Sequence, residues 1–229
     1  MEGSDKVVSD HRLSRRGLDW RRLAVWVITT IVGGPIVYLL PQQALALIDG
    51  EDWSLLAIWG VAGLICGALA GLIVGVGQRL ALRGVVSWTN EWVRSTVIGW
   101  AVGGAILMLF TRIGYSEIVE GSNATLFIAG LLAWFGCGAG IGVGQWLVLR
   151  QHLSKAGWWI VASSLGWGLS SLAALVAISN GPHLTKLMET GGIIGVATIL
   201  LLVGPVISSI PGIITGLALR FLISKENRH

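Results

Sequence analysis

Gln78 and Gln145 are polar side chains in settings that give them work to do. Each closes a run of glycines, in "GLIVGVGQRLALR" (Gly71 to Arg83) and in "GAGIGVGQWLVLR" (Gly138 to Arg150). A glutamine amide carries donors and an acceptor oxygen, and in an apolar helix it bonds to a neighbouring helix or to a polar solute. Five residues on, each copy ends in an arginine, Arg83 or Arg150, whose long stem reaches toward lipid headgroups. A fainter third copy, "GIITGLALR", ends at Arg220 and has Thr215 in the glutamine's place. Two chemistries follow for the polar trio. Gln78, Gln145 and Thr215 bond between helices, or, where three helices face a common axis, they form a polar ring that passes a small solute. Arg83, Arg150 and Arg220 are read as topology anchors and as contacts for anionic headgroups.

Reactive constellations are absent from the sequence. No Asp, Glu or His lies deep in an apolar run, whereas such groups usually mark proton relays and ion-coupled sites. His152 and His183 fall on opposite sides in the topology derived below, so they share no metal site. Glu91 and Arg94 start the third apolar run as an interfacial pair. There is no G-x-S-x-G, no H-E-x-x-H and no phosphate-binding glycine loop. Cys66 and Cys137 lie in apolar runs, form no C-x-x-C pair and are read as packing residues. Asn123-Ala-Thr125 fits a glycosylation acceptor by chance. The expectation is a chain that is not an enzyme and needs no cofactor, metal or nucleic acid.

The elements that position these residues are membrane spans. The chain has 229 residues, 54% of them hydrophobic and 12% charged, with mean hydropathy +0.76. Soluble domains carry about twice that share of charge. Six apolar runs reach the roughly 20 residues a span needs: 23–48, 55–82, 93–111, 125–149, 158–178 and 192–223. None alternates with period two, and a segment alone in lipid must bond its own backbone, so the fold class is all-α. The first run is too long for a signal-peptide core and is read as a retained span. Its Pro35 and Pro41 call for a bend, or an end near Pro41. The last run calls for a kink or a break near Gly204–Pro205.

Charge sets the orientation. Arg12, Arg15, Arg16, Arg21 and Arg22 precede the first span; Arg79, Arg83 and Arg94 join the second and third; Arg150, His152 and Lys155 join the fourth and fifth; Arg220, Lys225 and Arg228 close the chain. The other connections lean acidic: Asp49, Glu51 and Asp52; then Glu117 and Glu120; then Glu189 beside Lys186. The positive-inside rule puts both termini in the cytoplasm.

The repeat extends beyond the quoted motif. Gly63, Gly71 and Gly75 pair with Gly130, Gly138 and Gly142, and Trp92, Gly99 and Trp100 pair with Trp159, Gly166 and Trp167. Gly204, Ser208 and Gly212 match Gly67, Gly71 and Gly75, while Trp26 and Gly33 keep the spacing of Trp92 and Gly99. The chain therefore reads as a basic segment 1–22, a transmembrane domain 23–223 and a tail 224–229. Its hairpins are 55–112 and 124–178, with a third split between 192–223 and 23–48. Repeats offset by two spans share one orientation, which implies a six-helix bundle with pseudo-threefold symmetry about the membrane normal. Gly63, Gly67, Gly71 and Gly75, then Gly138 and Gly142, and then Gly212 recur every four residues. They form single helix faces suited to close packing in lipid.

Twelve tryptophans complete the picture. Trp20, Trp26, Trp53, Trp59, Trp88, Trp92, Trp146, Trp158 and Trp159 fall near span ends and read as interface anchors. Trp100, Trp134 and Trp167 sit deeper and read as packing residues. The tandem "GxGQ[RW]LxLR" followed by a "W…GW" helix resembles a group of multi-pass membrane proteins of cyanobacteria and related bacteria. The likeness covers about residues 60–180 and carries no activity with it. The expected function is a scaffold or accessory subunit that packs with lipids, a partner membrane protein or itself. The alternative is a passive pore or permease for a small solute.

Overall fold

The computed structural model describes residues 18–45, 55–118, 123–180, 186, 198 and 203–226. Among them are six long helices and no strand: α1 (Trp20–Leu45), α2 (Leu55–Leu82), α3 (Thr89–Ile118), α4 (Asn123–His152), α5 (Trp158–Asn180) and α6 (Gly204–Glu226). Glycine-rich sequences such as α2 are poor helices in water. In lipid the balance reverses, because the backbone has no other hydrogen-bond partner.

The helix ends carry local signals. Asp19 caps α1, its Oδ1 accepting from the Arg22 amide at 2.9 Å. Gly84 closes α2 with a φ of 74°, the left-handed turn that favours glycine, and the amides of Val85 and Val86 fold back onto the Leu82 carbonyl. Pro205 is the second residue of α6, where its missing N–H leaves no bond unmade. The described helix thus opens at Gly204, at the position expected for a break; residues 192–197 and 199–202 of the same apolar run lie outside the described residues. α1 continues past Pro41 to Leu45, so it does not end at that proline.

Each helix packs on its neighbours in chain order, and α6 returns to pack on α1, closing a ring. The small-residue faces make these contacts. A Cβ on Gly67 would collide with the Trp100 carbonyl, lying 2.9 Å from its carbon and 3.0 Å from Cα of Ala101. One on Gly138 would lie 2.7 Å from the Ser163 carbonyl oxygen, and one on Gly212 would lie 3.1 Å from Cα of Val27. Gly63, Gly71 and Gly75 meet α3 in the same way, and Gly142 meets α5. Serines add bonds across the same contacts: Ser163 Oγ donates to the Gly138 carbonyl at 2.7 Å and Ser170 Oγ to that of Ile207 at 2.9 Å. The outward positions are apolar, as along α2 at Val61, Ile65, Leu69, Leu72, Val76 and Leu80.

Candidate functional site: a tryptophan knot with glutamine acceptors

Trp26, Trp92 and Trp159 come from α1, α3 and α5, and all three are fully buried. Their rings meet pairwise, with centroids 5.5 Å apart for Trp26–Trp92, 5.6 Å for Trp92–Trp159 and 6.0 Å for Trp26–Trp159. The latter two pairs are edge-to-face, the arrangement the indole quadrupole favours. Each ring also carries an N–H that needs an acceptor away from water. Trp92 Nε1 donates to Gln78 Oε1 at 3.0 Å, Trp159 Nε1 to Gln145 Oε1 at 3.0 Å, and Trp26 Nε1 to Thr215 Oγ1 at 3.1 Å. The Gln145 amide donates onward to Thr96 Oγ1 at 3.1 Å. Thr215 Oγ1 in turn donates to the Pro211 carbonyl at 2.6 Å.

The polar trio identified from the sequence is therefore buried, and each member is tied to one indole. No hydrogen bond joins Gln78, Gln145 and Thr215 to one another among the described residues. The three tryptophans occupy the middle in their place, and here the sequence reading needs correcting. Trp26, Trp92 and Trp159 are interior residues, not interface anchors, and Trp88 is buried as well. Trp20 and Trp158 are exposed, and Trp53 lies outside the described residues. One signal for the knot was present: tryptophan follows glutamine by fourteen residues in both strong copies.

A second aromatic layer lies deeper. Trp100 and Trp167 meet edge to face at 5.3 Å, and Trp134 stacks on Trp167 at 5.7 Å. These two tryptophans stand eight residues after Trp92 and Trp159, whereas the same step from Trp26 reaches Gly34. A Cβ on Gly34 would lie 3.5 Å from Cη2 of Trp167, and one on Gly33 3.4 Å from Cη2 of Trp100. The paired glycines of α1 receive the tips of the two rings. Cys137 packs fully buried in this layer.

The basic end of the bundle is knit differently. Arg22 Nη1 donates to the carbonyls of Ala81 at 3.2 Å and Arg83 at 2.6 Å, filling acceptors at the end of α2. Arg150 stands 4.8 Å over the Trp146 ring, and Arg220 stands 4.5 Å over the Trp20 ring. Glu226 accepts from both the amide and the hydroxyl of Ser154. Glu91 Oε2 lies 3.7 Å from His152 Nε2, and among the described residues it forms no ion pair with Arg94. His152 stacks on Trp88 at 5.1 Å, and its Nε2 is buried without a hydrogen-bond partner among the described residues. Such an atom costs roughly 1–3 kcal/mol, more than a 3.7 Å contact with a half-exposed carboxylate returns. His152→Leu is therefore expected to raise stability by about 1 kcal/mol; a lower melting temperature in micelles would show the stack and the pair to be worth more. His183, the acidic positions 49–52, 120 and 189, and Arg12, Arg15 and Arg16 all lie outside the described residues, and of the Glu117 and Asn123 side chains nothing is described.

Five of the helices, covering Leu56–Leu82, Thr89–Arg112, Ile128–His152, Trp158–Ala177 and Gly204–Glu226, are long and apolar enough to cross a membrane. This chain is a multi-pass helical membrane protein. No family model, no curated protein and no solved structure matches it.

Proposed function

We propose that the chain is a six-span, non-enzymatic scaffold or accessory subunit of a bacterial inner membrane, packing with lipids or partner helices, with both termini cytoplasmic. In this reading α1 is the sixth span. Three hairpins, α2–α3, α4–α5 and α6–α1, stand around a pseudo-threefold axis. Recurrent contacts support that arrangement. A Cβ on Gly75, Gly142 or Gly212 would lie 3.3, 3.0 or 3.2 Å from the Cβ of Thr96, Ser163 or Thr30, which are matching positions of the three copies. Gly33, Gly99 and Gly166 likewise face Val74, Ile141 and Pro211. The alternation of basic and acidic connections supports the orientation.

The observation that carries the reading is the knot itself. Indole rings fill the middle at the level of the polar trio, and each trio member already accepts an indole proton. A bundle closed in this way is suited to holding a shape rather than passing a solute. Two assays decide the matter. Proteoliposomes bearing the full chain are expected to swell no faster than protein-free vesicles in gradients of glycerol or urea. Extraction from native membranes in mild detergent is expected to recover a partner membrane protein, a second copy or retained lipid. Swelling above background that is lost in Gln78→Leu/Gln145→Leu would make the chain a passive pore. A monomer free of lipid and partner would sink the scaffold.

A further inference from the structure

Among the described residues, the basic end of the bundle has more positive charge than carboxylates to answer it. Among the described side chains the carboxylates are Asp19, Glu91 and Glu226. Each already lies beside a polar group: Arg22 at 3.8 Å, His152 at 3.7 Å and Ser154 at 3.0 Å. Arg83, Arg150 and Arg220 form no ion pair among the described residues. Two of them are nevertheless held in place, Arg150 over Trp146 and Arg220 over Trp20. Trp20 is two-thirds exposed, at 67%, so the second pair lies open at the bundle surface.

A guanidinium lying over an indole uses its face and keeps its edge. The edge carries N–H donors in the fork geometry that matches two oxygens of a phosphate. The stack removes side-chain freedom before a ligand arrives, so less is lost on binding. Both pairs stand at helix ends, where tryptophan settles at headgroup depth. The geometry points to two binding sites for the phosphodiester of an anionic phospholipid, one at Arg150–Trp146 and one at Arg220–Trp20. The selectivity follows from charge. A zwitterionic lipid brings an ammonium group that seeks a carboxylate or an open aromatic face, and here the guanidinium groups lie over the Trp146 and Trp20 rings. An anionic lipid brings only the phosphate and neutral hydroxyls, which suit arginines without partners. This inference rests on the lipid-packing half of the scaffold reading and names the lipid.

The full chain, reconstituted in equal parts phosphatidylglycerol and phosphatidylcholine and released from mild detergent into a native mass spectrometer, tests it. The wild type is expected to retain phosphatidylglycerol over phosphatidylcholine by about tenfold, with two lipids bound. Arg150→Gln/Arg220→Gln is expected to bring the ratio to near one. Arg150→Lys/Arg220→Lys keeps the charge and loses the planar fork, so an intermediate ratio is expected. Trp20→Leu/Trp146→Leu leaves every charge in place and is expected to lower retention several-fold through loss of the brace. These positions lie outside the knot, and circular dichroism checks that each variant is folded. Equal retention of the two lipids by the wild type would overturn the proposal. So would unchanged selectivity in the Gln variant, or inorganic phosphate adducts in place of lipid. Such a result together with intact partner capture and no solute flux would remove the lipid sites and leave the scaffold standing.

Discussion

Gly67→Ala is expected to destabilise the bundle by about 3 kcal/mol, at the upper end of what overpacking costs. The reason is the nature of the obstacle. The added methyl would meet the Trp100 carbonyl group and Cα of Ala101, which are backbone atoms. No side-chain rotation relieves such a clash, so α2 and α3 must separate and lose contacts along their whole shared face. In lipid that face has no water-exclusion term to fall back on, and close packing is what holds it. Gly130→Ala is the matched control. It makes the same chemical change in α4, but among the described residues nothing lies within 4 Å of the new methyl. It is expected to leave stability unchanged or raise it by a few tenths of a kcal/mol through helix propensity. Unfolding in mixed micelles by increasing sodium dodecyl sulfate separates the two. Equal midpoints for Gly67→Ala and Gly130→Ala would mean the glycine face does not hold α2 to α3.

Trp92→Ala is expected to cost about 3–5 kcal/mol, the range for emptying a large buried aromatic site. Two losses combine. The ring leaves a void between Trp26 and Trp159, and Gln78 Oε1 loses the donor it faces. Phenylalanine variants separate them by keeping most of the ring and removing the N–H. Trp92→Phe and Trp159→Phe are each expected to cost about 1–3 kcal/mol for the acceptor left unbonded. Trp26→Phe is expected to cost less, because Thr215 keeps its own bond to the Pro211 carbonyl. Midpoints from the same titration give the order. If Trp26→Phe proved the most damaging of the three, the hydrogen bonds would not be what distinguishes these sites.

Much of the architecture was legible in composition and periodicity. Long apolar runs with few charges cross membranes, and lipid leaves such runs little choice but helix. The glycine spacing marked the faces on which Gly67, Gly138 and Gly212 meet their neighbours, because a period near four places residues on one side of a helix. The tryptophans were harder to read. A tryptophan near a span end has two stable homes, the headgroup layer and the interior of a bundle, and local sequence does not distinguish them. Trp20 and Trp26 are only six residues apart. One is exposed beneath Arg220 and the other is fully buried against an acceptor on α6. That acceptor lies 189 residues away in the chain, beyond the reach of any window. The stack of His152 on Trp88 depended in the same way on how α3 and α4 lie against each other.

The return of α6 to α1 has a consequence for how the molecule is made. Synthesis delivers Trp26 to the bilayer 189 residues ahead of Thr215. Until α6 emerges from the ribosome, the indole N–H of Trp26 lacks its native acceptor and one flank of α1 stays uncovered. A truncated product would keep that flank bare, presenting to membrane proteases or insertion chaperones a feature the finished protein hides. The arrival of α6 is thus recorded in the molecule as a contact with α1.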